Sequence, residues 1–146
     1  MKLAAALTGM ILGAIAVPAL AATEPSASDD AAIDKLIAPA IAALEAGKAR
    51  QAVDAYLGSN PLIASKTSDI AYLTSQIDST MGIYGPISSC QLSQTRSNGP
   101  LVEQRLYHCQ HKTFLTRWIF LSIKTQSGWI AGNLSFDDKV MNALGE

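Results

Sequence analysis

Cysteine is scarce: Cys90 and Cys109 are the only two, and neither belongs to a Cys-x-x-Cys pair. That spacing excludes the common zinc frameworks and the thioredoxin-type redox motif. Also missing are a Gly-rich phosphate loop, a G-x-S-x-G elbow and an S-x-x-K motif around any serine, so the usual signatures of nucleotide binding and serine catalysis are absent. Neither sign of charge dominates, with 11 Lys and Arg against 12 Asp and Glu and a net charge of −1. A chain so balanced has no electrostatic reason to take nucleic acid or an anionic membrane surface as partner. Long apolar runs are absent too, apart from the first twenty residues, so nothing later in the chain is suited to spanning a bilayer.

What is present begins with that first run. Lys2 supplies a positive start, Leu3 to Val17 is apolar or small and uncharged, and Pro18 then breaks any helix. Ala19-Leu20-Ala21 puts small residues where a signal peptidase cuts. Residues 1–21 therefore read as a secretory signal peptide cleaved after Ala21, in a bacterial periplasmic or secreted protein. An uncleaved anchor is the rival, disfavoured by the Ala and Gly content, by Pro18 and by the cleavage site. No Cys follows the run to carry a lipid. Loss of the segment leaves about 125 residues, enough for one domain with a real core. Residues 22–28 read as a polar, disordered leader and 29–146 as that domain.

The first half of the domain has helical spacing. Ser28 reads as an N-cap, with Asp29 and Asp30 where the helix dipole favours negative charge. Behind it Ile33, Leu36, Ile37, Ala40, Ile41 and Leu44 make one stripe, with Pro39 expected to kink or break it and Gly47 to stop it. A second helix spans about Lys48 to Leu57, with Ala49, Ala52, Val53 and Tyr56 on its apolar side, and Gly58-Ser59-Asn60-Pro61 breaks the chain. A third, capped by Thr67 or Ser68, keeps Ile70, Leu73, Ile77 and Met81 on one face and closes at Gly82 and Gly85-Pro86.

After Pro86 the texture changes to alternation, β-branched residues and aromatics. Four strands are expected, at about Ile87 to Thr95, Val102 to His111, Thr113 to Lys124 and Trp129 to Phe136, with a tail or final helical turn over Asp137 to Leu144. Asn98-Gly99 and Ser127-Gly128 mark turns, and connections this short imply an antiparallel meander. A hairpin turning at Asn98-Gly99 places Cys90 within about one pair of Cys109, and a one- or two-residue bulge would bring them into disulfide range. Two cysteines in an exported chain are most simply bonded, against the alternative of two buried thiols.

The chemistry-bearing residues are few. His108 and His111 are three apart in a strand, so they point to opposite faces and cannot share one ion without a bulge. Asp137-Asp138 could be imagined as an acid–base pair, but a strand end and a helix cap account for it. Asn133-Leu134-Ser135 matches a glycosylation sequon inside a strand, and Leu44 to Leu57 resembles half of one tetratricopeptide unit without a second copy. In the third strand Phe114, Trp118 and Phe120 point one way and Leu115, Ile119, Leu121 and Ile123 the other, interrupted by Arg117, which is placed to pair with a carboxylate. Apolar residues on both faces call for cover on both sides. Helices can supply only one cover, so the back of the sheet either curls around a pocket or meets a second subunit.

Tyr84-Gly85-Pro86, Trp118-x-Phe120, Gly128-Trp129 and Phe136-Asp137-Asp138, in this order of helices and meander, resemble exported bacterial proteins of the NTF2-like superfamily. That resemblance covers roughly Asp30 to Asp138 and implies a cystatin-like α+β cone. It also implies a cavity between the third helix and the sheet, with Tyr72, Gln76, Tyr84, Tyr107 and Trp118 as tentative ligand-binding residues. The superfamily spans enzymes, binding modules and dimerisation scaffolds, so fold does not choose among them. No catalytic residue, metal site or cofactor is assigned. The expectation is a non-enzymatic binding or interaction module for an unknown small ligand or envelope protein, with a homodimer across the sheet as one form. The alternatives are a small hydrolase or isomerase in the cone and an accessory subunit of an envelope assembly.

Overall fold

The computed structural model describes residues 26–140. The signal segment, most of the leader and residues 141–146, which include the end of the expected tail, lie outside the described residues. The architecture is α+β, with helices α1 (Ala27–Glu45), α2 (Ala49–Leu57), α3 (Pro61–Ala64) and α4 (Thr67–Tyr84), then strands β1 (Ile87–Ser97), β2 (Val102–His111), β3 (Leu115–Thr125) and β4 (Gly128–Asp137). The strands form one antiparallel meander in the order β1-β2-β3-β4. Among the described residues no helix is long and apolar enough to cross a membrane.

Ser26, two residues before the expected cap, starts α1. Its backbone is extended, and its Oγ accepts the Asp29 N–H at 3.4 Å, which takes up one donor that the helix itself cannot satisfy. The expected stripe is buried at Ile33, Ile37, Ala40 and Leu44. The helix does not break at Pro39. Lys35, whose carbonyl loses its usual partner there, and Pro39 both lie on the exposed side of α1. No orphaned polar group is thereby buried. The break at Gly58 to Pro61 holds one more helical turn: Asn60 caps α3 by accepting the Leu62 N–H at 3.1 Å and sends its amide to the Ala131 carbonyl at 2.8 Å. Ser59 Oγ accepts the Ala131 N–H at 2.9 Å. The loop is thus a clamp on β4 rather than a spacer.

β1 and β2 show why Cys90 reaches Cys109. Ser97 faces Glu103 and Gln94 faces Leu106; continued, that register would set Cys90 against Gln110. A bulge between Leu92 and Gln94 shifts the pairing by one residue and places Cys90 directly opposite Cys109. The two are bonded, with Cα atoms 4.0 Å apart. Besides another register shift near the start of β1, between Ile87 and Ser89, β4 carries a bulge centred on Gly132, where an added Cβ would lie 3.1 Å from both Ile123 Cγ2 and the Leu121 carbonyl oxygen.

α1 packs across β1 and β4, α2 lies on α1 and β4, and α4 leans chiefly on α2. All helices sit on one side of the sheet. The core between them holds Trp118, Phe120, Tyr56, Ile33, Ile37, Leu44 and Ile77 with no exposed surface. Tyr56 meets Phe120 edge-on at 4.9 Å, and Trp118 stacks on Phe136 at 4.6 Å. Phe114 does not belong to β3; it precedes the strand and stacks on Tyr84 at 5.0 Å.

The disulfide encloses a loop of the length for which chain-entropy arguments give about 3 kcal/mol. Replacing both cysteines by alanine is expected to lower the unfolding free energy by about that amount, measured by urea denaturation. Reductant should produce the same loss in the native chain and none in the alanine pair.

Candidate functional site

The expected cavity between the last long helix and the sheet is occupied by side chains. Trp118 and Phe120 project from β3 into that space and are fully buried, with Tyr107 edge-on to Phe120 at 5.5 Å. Of the five tentative ligand residues, Tyr107 and Trp118 are cross-strand neighbours facing the helices. Tyr84 stands at the far end beside Phe114. Tyr72 is 68% exposed and Gln76 is also exposed. The reason lies in the α4 spacing: Ile70 and Ile77 are buried on the inner stripe, which leaves positions 72 and 76 outside. The five are not brought into one site.

Two polar systems lie within the packed layer. In the first, Trp118 Nε1 donates to Thr116 Oγ1 at 2.8 Å, and Thr116 Oγ1 lies 2.9 Å from His111 Nε2. His111 Nδ1 is 2.7 Å from the Gly85 carbonyl. A carbonyl only accepts, so Nδ1 carries a proton, and Nε2 in the neutral ring is the acceptor for the threonine hydroxyl. The chain of donors is complete from β3 to the start of β1. His108 lies on the opposite face, as the strand spacing requires.

The second system was invisible to motif reading. Arg105, 3% exposed, and Glu103, fully buried, point toward the helices from β2, with Arg105 Nε 2.6 Å from Glu103 Oε1. Arg105 also binds Asp34 and, at 3.1 Å, Asp30 on α1. Burial works against the guanidinium charge, but Glu103 and Asp34 outweigh it and raise the Arg105 pKa. Its available sequence signal was two opposite charges two apart in a strand, hence on one face. Nearby, Asp29 accepts from Lys124 Nζ at 2.7 Å and Trp129 Nε1 at 2.8 Å, and these bonds hold its carboxyl far below the usual range. Together the Arg105 and Asp29 groups pin the start of α1 to one end of the sheet.

The sheet's other face is uncovered by the described residues. Leu106, Ile119, Leu121 and Ile123 form its centre, the last three half-buried. One polar row crosses all four strands beside them: Gln91, His108, Arg117 and Asp137. Arg117 grips Asp137 with two bonds of 2.8 and 2.7 Å, which lower the Asp137 pKa. The expected partner of Arg117 is thus found. Asp138 goes elsewhere, accepting the Tyr84 hydroxyl at 2.7 Å, a bond that raises the tyrosine's pKa. The two adjacent aspartates therefore serve different partners and do not form an acid–base pair.

A cleft of about 710 Å³ opens at the end of the sheet away from the start of α1, between the β2–β3 turn and the end of β4. Phe114, Leu115 and Val140 line it with Lys112 and Lys139. Comparison with known proteins finds no match to a family, a curated protein or a solved structure. The assignment of any role therefore rests on the geometry of this chain. No group of three or more His, Cys, Asp or Glu side chains able to hold a metal ion occurs among the described residues.

Breaking one half of a buried ion pair costs far more than removing both halves. Arg105→Leu is expected to lower the unfolding free energy by about 3–5 kcal/mol, and the double change Glu103→Leu with Arg105→Leu to recover most of it, read by urea denaturation. Asp29 and Asp137 have depressed pKa values in the folded state. Their stabilisation is full above the unfolded value of 3.8 and is lost as pH falls toward the folded values. Acid unfolding followed by circular dichroism should therefore steepen below that pH, and Asp29→Asn should make the dependence shallower.

Proposed function

We propose that this chain is exported, loses residues 1–21, and works outside the cytoplasm as a non-enzymatic interaction module of NTF2-like plan, pairing with a second copy through the open face of its sheet. The uncovered centre of that face carries the reading. An antiparallel sheet with one solvated face normally alternates apolar and polar side chains, whereas β3 presents Ile119, Leu121 and Ile123 outward as well as Trp118 and Phe120 inward. A patch of one sheet face is suited to a two-fold contact, in which the same surface serves both partners. His108 Nε2, buried in that face without a hydrogen-bond partner, is a donor or acceptor that a second chain could satisfy.

Export is supported by the Cys90–Cys109 bond, because disulfides persist in oxidising compartments. The filled layer between helices and sheet supports binding on a surface over catalysis in a cone. Glu103 is the kind of buried carboxylate a cone enzyme would use, but it is held by Arg105 among packed side chains.

Light scattering on residues 22–146 with the disulfide formed is expected to give a dimer, and Leu121→Lys a monomer with an unchanged far-ultraviolet circular dichroism spectrum and an unfolding midpoint that no longer depends on protein concentration. A wild-type monomer at high micromolar concentration would overturn the pairing. Mass measurement of the exported product should place its first residue at Ala22, and retention of Met1 would overturn the cleavage.

A further inference from the structure

The cleft at the far end of the sheet borders the open face and shares Gln110 and Leu115 with it, but its other walls lie in the β2–β3 turn and past the end of β4, so its reading does not rest on pairing through that face. Its walls are tied to three elements. The β2–β3 turn is closed by the His111 N–H donating to the Phe114 carbonyl at 2.8 Å. Thr113 Oγ1 donates to the Tyr84 carbonyl at 3.3 Å, and His111 Nδ1 to that of Gly85 at 2.7 Å. The Phe114 ring lies on Tyr84, whose hydroxyl reaches Asp138 past the end of β4. Gly85 is required there: its φ is +88°, and an added Cβ would lie 3.3 Å from Lys112 Cβ. A site braced this way needs little reorganisation to bind.

The lining says what it would bind. Phe114 and Leu115 are 43% and 39% exposed, an apolar floor in a cleft of the size that takes small molecules. Lys112 and Lys139 stand on its rim, and neither forms an ion pair among the described residues; Lys139 only adds to the field that lowers Asp137. The one carboxylate lining the cleft is Asp138, already engaged by Tyr84. Two ammonium groups against one carboxylate leave a single positive charge in a chain whose net charge is −1. We propose that this cleft binds a small organic monocarboxylate with an apolar body, its chain or ring on Phe114 and Leu115 and its carboxylate between Lys112 and Lys139.

Decanoate and naphthoate, each below its aggregation limit, with decanol as the uncharged counterpart, test this by amide NMR on residues 22–146. Saturable shifts are expected at 110–115 and 138–140, with decanol about five- to ten-fold weaker than decanoate. Lys112→Ala with Lys139→Ala should abolish that difference while leaving the other amides in place. Shifts centred on Ile119 and Leu121, equal binding of acid and alcohol, or no binding by either acid would overturn the proposal. So would binding that appears only in a chain ending at Val140, because residues 141–146 would then be the natural occupant.

Discussion

Helices that all precede a four-stranded meander reach one side of it, and the side-chain period of two then decides everything on the sheet. Even positions of β3 turn toward the helices and odd positions away. Trp118 and Phe120 therefore become the centre of the core, and Ile119, Leu121 and Ile123 become surface. The same parity carries Glu103 and Arg105 inward with Tyr107, and His108 outward beside Arg117. A one-residue slip would exchange the two faces, so the bulges that correct the β1 and β4 registers matter more than their size suggests.

Most polar groups inside the layer are matched to specific partners, Glu103 Oε2 being the one buried there without a hydrogen bond among the described residues. The Trp118–Thr116–His111–Gly85 chain spends each donor on an acceptor and joins β3, β2 and the approach to β1. Tyr56, whose pKa is raised by burial, gives its hydroxyl to the Leu121 carbonyl at 2.7 Å. Arg105 is the costly member, since it is desolvated and bound to three carboxylates. In return it fixes where α1 begins, together with Asp29, Lys124 and Trp129. The two ends of the sheet thus differ: one is closed by charge pairs to α1, the other is left open as a cleft floored by aromatic and aliphatic surface.

Much of the architecture was legible because local rules and tertiary packing agreed. Gly85-Pro86, Asn98-Gly99 and Ser127-Gly128 ended elements where their backbone preferences demand it, and the hairpin brought the cysteines to within one residue of pairing. The departures had different causes, local at the two points in α1 and tertiary at Phe114. Ser26 displaced Ser28 as cap, Pro39 was absorbed on an exposed side of α1, and Phe114 left its strand for Tyr84. Tyr72 and Gln76 came from the resemblance, and they lie off the Ile70–Ile77 stripe that helical spacing had already marked as the inner face of α4.

The sequence by itself determined the order of elements, the meander, the cysteine pairing and the separation of His108 from His111, because each follows from turn chemistry and strand parity over short distances. Only the tertiary structure decided that the space between the helices and the sheet is filled by side chains, that Arg105 and Glu103 are buried together, that Asp137 and Asp138 part company, and that a cleft opens beside Phe114. Those outcomes depend on contacts between residues many positions apart, such as Asp34 with Arg105 and Tyr84 with Asp138, which no local pattern encodes.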